Sequence, residues 1–184
     1  MATWLWVILI IAAIVVIVVI AALAKSRRRT EELRRGFGPE YDRTVERTGD
    51  AAQAEADLRE RQRRHDELEL HRLDPRSRKR FVDAWQITQA EFVDDPANAI
   101  QDADRLIQSV MRDRGYPVED FDDRAAIISV DHPIVVERYR RAHTIVMGNP
   151  RGDADTEALR QAMHDYRALF DELVEDDAPQ NIRT

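Results

Sequence analysis

Cysteine is absent from this 184-residue chain. That excludes disulfides, thiolate nucleophiles, Cys-ligated zinc and iron–sulfur clusters. Glycine and proline are scarce, at 6 and 7 residues. So few breakers point to an all-α protein, in which helix formers run on for long stretches. Lysine is scarcer still: Lys25 and Lys79 are the only two among 28 basic residues. With abundant Ala, Asp and Val, that is the mark of high-GC coding and not of a function. Catalytic signatures are missing too. There is no Gly-x-Ser-x-Gly elbow, no phosphate-cradling glycine loop and no dinucleotide-binding fingerprint. The pairs Asp94-Asp95, Asp122-Asp123 and Asp176-Asp177 lack the alternating ligands and central glycine of a calcium loop.

What the chain does have begins at its N-terminus. Trp4 to Ala24 carries no charge and is built almost wholly of Ile, Val, Leu and Ala. As a helix it spans roughly 30 Å, the thickness of a hydrocarbon core. Ala22-Leu23-Ala24 has the small-x-small pattern of a cleavage site. A cleaved leader, however, has a shorter apolar stretch preceded by basic residues. The expectation is therefore a single-pass transmembrane anchor over 1–29. Trp4 and Trp6 stand at one interface, and Lys25, Arg27, Arg28 and Arg29 at the other. The basic flank places the C-terminal side in the cytoplasm of a bacterial inner membrane; an extracytoplasmic domain is the alternative. The flank also suits anionic headgroups. Taking its four basic residues from the 28 leaves 24 against 35 acidic ones, a net charge of −11. That sign opposes nucleic-acid binding, which needs a basic patch.

Gly36-Phe37-Gly38-Pro39 and Thr48-Gly49-Asp50 are breaks, with Pro39 at a first helical position and Asp50 a cap. Leu33, Phe37, Tyr41 and Val45 form a weak stripe across the first break. Beyond Leu58 no apolar residue occurs until Leu68. Glu55–Arg59, Asp57–Arg61 and Glu60–Arg64 have the favourable acid-before-base spacing of four. Residues 30–72 thus read as a polar helical stalk or arm, because a helix polar all round bridges domains or is marginal. Residues 73–176 read as a bundle of about five amphipathic helices, and 177–184 as a flexible tail, with 148–156 a second mobile stretch. Asp74, Asp95 and Asp131 each precede a proline and are expected to cap helices. Stripes run through Phe81, Trp85 and Phe92; through Ile100, Ala103, Leu106, Ile107, Val110 and Met111; and through Leu159, Met163, Tyr166, Phe170 and Leu173.

The stretch "SVDHPIVVERYRRAH", from Ser129 to His143, concentrates two histidines, two acids and Tyr139. On one helix over 133–146 the eleven-residue spacing of His132 and His143 puts them ~16 Å apart. Zinc ligands must lie within about 2.3 Å of a shared ion. The metal reading of His132 and His143 thus needs Asp120 or Asp123 to fold back beside them. The structural reading is a helix start capped by Asp131. No cofactor is expected.

The segments "FGPEYDRTVERTGD", "WQITQAEFVDDPANAIQDADRLIQSVM", "RGYPVEDFDDRAAIISVDHPIVVERYRRAH" and "LRQAMHDYRALFDELVE" resemble an uncharacterised family of membrane-anchored helical proteins from high-GC, actinobacterial-type bacteria. The likeness covers most of 37–175. It implies that the soluble part is one unit, and it implies no activity. The expected function is a membrane-tethered, non-enzymatic interaction or scaffold module, with the lipid bilayer and another protein as partners. Trp85, Phe81, Tyr116 and Phe121 are candidate contact aromatics, with a place in the core the favoured reading for each. The alternatives are a metal-binding or hydrolytic enzyme at His132 and His143, and a membrane-surface regulator.

Overall fold

A computed structural model describes residues 3–148 and 155–175. The tail at 177–184 and most of the 148–156 stretch lie outside the described residues, as does the side chain of Trp6. All eight elements among the described residues are α-helices: α1 (Thr3–Phe37), α2 (Pro39–Thr48), α3 (Ala51–Asp66), α4 (Pro75–Glu91), α5 (Pro96–Arg114), α6 (Phe121–Asp131), α7 (Val136–Met147) and α8 (Thr156–Glu175). The expected all-α class and the five helices after Asp74 are found.

The breaks fall where backbone chemistry puts them. Gly38 takes φ 49°, and Pro39 opens α2. Gly49 closes α2 in the left-handed region at φ 71°, where a side chain is disfavoured. Asp50 accepts from Gln53 N at the start of α3.

The chain forms two compact units, Met1–Leu58 and Arg59–Thr184. In the first, Leu33, Phe37, Tyr41, Ala54 and Leu58 are buried. Glu55 accepts from Thr30 Oγ1 at 2.6 Å and from Tyr41 OH at 3.4 Å, and Arg47 pairs with Asp57. Upstream of this knot, α1 has a different surface. Val7, Ile10, Ile11 and Ile14 to Ile20 are each at least half exposed. Among the described residues no helix is long and apolar enough to cross a membrane.

The second unit is built around α8, which packs on α5, α7 and α4. Phe81, Trp85, Ile107, Val110, Tyr139, Tyr166, Leu169 and Phe170 share one core. Trp85 stacks on Phe170 at 4.7 Å. Phe81, Trp85 and Tyr116 are buried, and Phe121 is half-buried against the same core. These aromatics pack on the core, the favoured of the two readings the sequence offered.

This unit begins earlier than the expected boundary at 72/73. Leu68, Leu70 and Leu73 pack on the core, and Arg61 and His65 are buried. On α3 the inward positions Ala54, Leu58, Arg61 and His65 follow helical spacing. The stripe therefore continues past Leu58 with polar residues, which is why it reads from sequence as a solvated arm.

Candidate functional site

Asp74 and Asp95 cap α4 and α5: Asp74 accepts from the backbone N–H groups of Arg76 and Ser77, and Asp95 from that of Asn98. Asp131 does not cap a helix. It is the last residue of α6. Pro133 disfavours helix at the residue before it, and His132 leaves the helical region at φ −125°, ψ 57°. After a turn at 133–135, α7 starts at Val136 with no side-chain cap. The cap that sequence reasoning missed is Asp120, which accepts from Asp123 N at the start of α6.

Placed on the final turn of α6, Asp131 points inward and its side chain is 3% exposed. Its Oδ2 accepts from His65 Nε2 at 2.7 Å and from Tyr116 OH at 2.7 Å. Its Oδ1 is buried without a hydrogen-bond partner. His65 Nδ1 lies 3.4 Å from Asp66 Oδ1. Beside His65, Arg64 donates two hydrogen bonds to Asp123, at 3.0 and 3.2 Å.

The electrostatics follow from this geometry. The hydrogen bond to Asp131 raises the His65 pKa, against the opposing effect of burial. Burial pushes the Asp131 carboxyl up, but the hydrogen bonds from His65 and Tyr116, with the charges of His65 and His132, hold it below its ordinary value. Each partner thus favours the charged form of the other.

The two histidines singled out from sequence sit on different elements. His132 is buried at the end of α6, with Nδ1 3.4 Å from Glu172 Oε2 on α8. His143 lies on α7 against Phe121. The folded-back carboxylates go elsewhere: Asp120 caps α6 and Asp123 binds Arg64. Among the described residues, no group of three or more His, Asp and Glu side chains is placed to hold a metal ion.

Other buried charges hold helices together. Asp104 accepts from Tyr166 OH at 3.0 Å and from Gln108 Nε2 at 2.6 Å. Arg124 donates to Tyr139 OH and to the Val118 carbonyl. Asp165 takes a two-pronged contact from Arg141. Burial raises the phenols of Tyr139 and Tyr166 well above their ordinary values, and Asp104 adds to the shift at Tyr166. A sequence signal for Asp104 and Asp165 existed. Both occupy core-facing positions of apolar stripes, between Ile100 and Ile107 and between Ala162 and Leu169. A buried carboxylate there needs a donor on a neighbouring helix.

The second unit is thus a bundle of helices with polar cross-links inside. No family model matches the chain, and neither a curated protein nor a solved structure matches it significantly.

Proposed function

We propose that this protein is a membrane-tethered, non-enzymatic helical module. On this reading α1 is a single-pass anchor in a bacterial cell membrane, and the bundle lies on the cytoplasmic side, offering its surface to another protein. The observation that carries the reading is the surface of α1. Ile10, Ile11, Ile14, Val15, Val16 and Ile17 lie on all sides of one helix and all are exposed. A helix apolar all round belongs in an apolar medium, not in water. Four exposed cations, Lys25, Arg27, Arg28 and Arg29, follow on the same helix, and the next two arginines pair with Asp42 and Glu31. Cations at that depth match lipid headgroups and favour the cytoplasmic side. Support for the non-enzymatic part is that the buried carboxylates are engaged inside the fold, Asp131 by His65 and Tyr116, Asp104 by Tyr166 and Asp165 by Arg141. The rival metal-binding or hydrolytic centre at His132 and His143 lacks a third convergent ligand among the described residues.

The test is a pair of C-terminal fusions to the full chain, one reporter active only in the cytoplasm and one only outside it. The cytoplasmic reporter is expected to be active, with the protein resisting alkaline extraction from membranes. Extraction into the aqueous phase, activity of the external reporter, or a mature N-terminus after Ala24 would each overturn the reading.

A further inference from the structure

Residues 59–74 differ from the rest of the second unit in how they are held. The second half of α3 ends at Asp66, and the chain then runs without regular structure to the cap at Asp74. Its attachments to the bundle include two ion pairs, a backbone hydrogen bond and an apolar contact. His65 meets Asp131, and Arg64 meets Asp123. His71 N donates to the Arg114 carbonyl at 2.9 Å. Leu68, Leu70 and Leu73 rest half-buried on the core. Gly115 admits the segment: a Cβ there would stand 2.6 Å from the Glu69 carbonyl oxygen. The α5–α8 contact, by contrast, is made by fully buried apolar residues such as Ile107, Leu169 and Leu173. Segments with few buried apolar contacts open at lower free energy than the core beneath them.

The buried fastening is also one-sided. Asp131 takes both its hydrogen bonds on Oδ2, while Oδ1 is buried without one. A buried carboxylate with incomplete hydrogen bonding depends on a nearby positive charge. The ionisable groups around His65 can be named. Asp131 faces it from α6, and Tyr116 approaches through Asp131 from the turn after α5. Asp66 flanks it on its own helix. His132, next to Asp131 and against Glu172 of α8, adds to the field on the carboxylate. Arg64 is occupied by Asp123.

We propose that residues 59–74 are a detachable strap, clasped to the bundle by the His65–Asp131 pair and released when His65 loses its proton. The protonated imidazole neutralises the buried carboxylate. The neutral imidazole still donates from Nε2, yet leaves Asp131 as a buried anion. Release lets Asp131 reach water and frees residues 59–74 from the rest of the second unit. The direction of the His65 pKa, above its ordinary value, agrees. A raised folded pKa means the contribution is fully present below about pH 6.5 and is lost as pH rises through the folded value. Each unit of elevation multiplies the ratio of released to clasped strap about tenfold between the acidic and alkaline limits.

The chain's lack of cysteine makes the test direct. Spin labels on Glu67→Cys and Asp122→Cys, both exposed positions, report the distance across the clasp in the full-length protein in detergent micelles. From about pH 5.5 to about pH 9, across the histidine range, a short distance is expected to give way to a broad, longer one. The longer population should grow at least about threefold while far-ultraviolet circular dichroism stays constant. In His65→Gln the distribution should be the same at every pH. Should that variant fail to fold, Asp131→Asn is the second probe, and its distribution should lose its pH dependence likewise. An unchanging distribution in the parent, or a pH response that persists in either variant, overturns the proposal.

Discussion

His143 lies flat on Phe121, with ring centroids 3.5 Å apart and planes within 8°. Its Nδ1 is buried without a hydrogen-bond partner. Burial lowers its pKa, and the nearby Arg124 adds to that while Asp104 and Asp122 oppose it. A histidine with a depressed folded pKa contributes stability that is present above about pH 6.5 and lost as pH falls through the folded value. The sign is opposite to that of His65. Replacing His143 with Leu should therefore remove part of the loss in melting temperature between about pH 7.5 and about pH 5. An equal acid loss in both proteins, measured by thermal melts, would refute this.

Asp131 should behave as the centre of a buried pair and not as a cap. Asp131→Ala strands His65 and Tyr116 and should cost about 3–5 kcal/mol, more than the roughly 0.5–2 kcal/mol of a lost cap. Asp131→Asn keeps an oxygen that accepts and should cost less. Ser would restore a cap but cannot span to His65, so Asp131→Ser should resemble Ala. Denaturant midpoints decide: rescue by Ser to the level of Asn would return Asp131 to a capping role.

Gly115 carries two constraints at once. Its φ is +91°, in the left-handed region, and a Cβ would meet the Glu69 carbonyl oxygen at 2.6 Å. Gly115→Ala should cost at least about 1–3 kcal/mol through backbone strain alone, with added displacement of residues 67–71. Hydrogen exchange should show faster exchange at His71 N, which bonds the Arg114 carbonyl. Wild-type protection there in the variant would count against the close approach.

Phe170 and Leu106 were both stripe residues, but the fold separates them. Phe170 is buried against Trp85, whereas Leu106 is half-buried at the edge of the same core. Phe170→Ala should cost about 3–5 kcal/mol. Leu106→Ala should cost clearly less, on the order of 1–2 kcal/mol, because less apolar area leaves water. Equal losses in chemical unfolding would mean that the two are equally packed.

The all-α class, the five bundle helices, the caps at Asp74 and Asp95 and the breaks at Gly38 and Gly49 were all determined by the sequence itself. Each depends on residues near one another in the chain: apolar spacing of three and four, a side-chain oxygen beside free N–H groups, a glycine where φ is positive. Asp131 shows where that reasoning ends. Aspartate, histidine and proline in a row form a sound local start signal, and the same local rules let α6 run on to Asp131 until Pro133 stopped it. Only tertiary structure chose between them, because the partners that make the inward placement favourable lie 66 and 15 residues away, at His65 and Tyr116. The same holds for Arg61 and His65, polar residues on the buried stripe of an otherwise solvated α3. A polar or charged side chain tolerates burial only where the fold supplies a partner, as α6 supplies Asp131 to His65, and one-dimensional periodicity carries no record of where that partner will be.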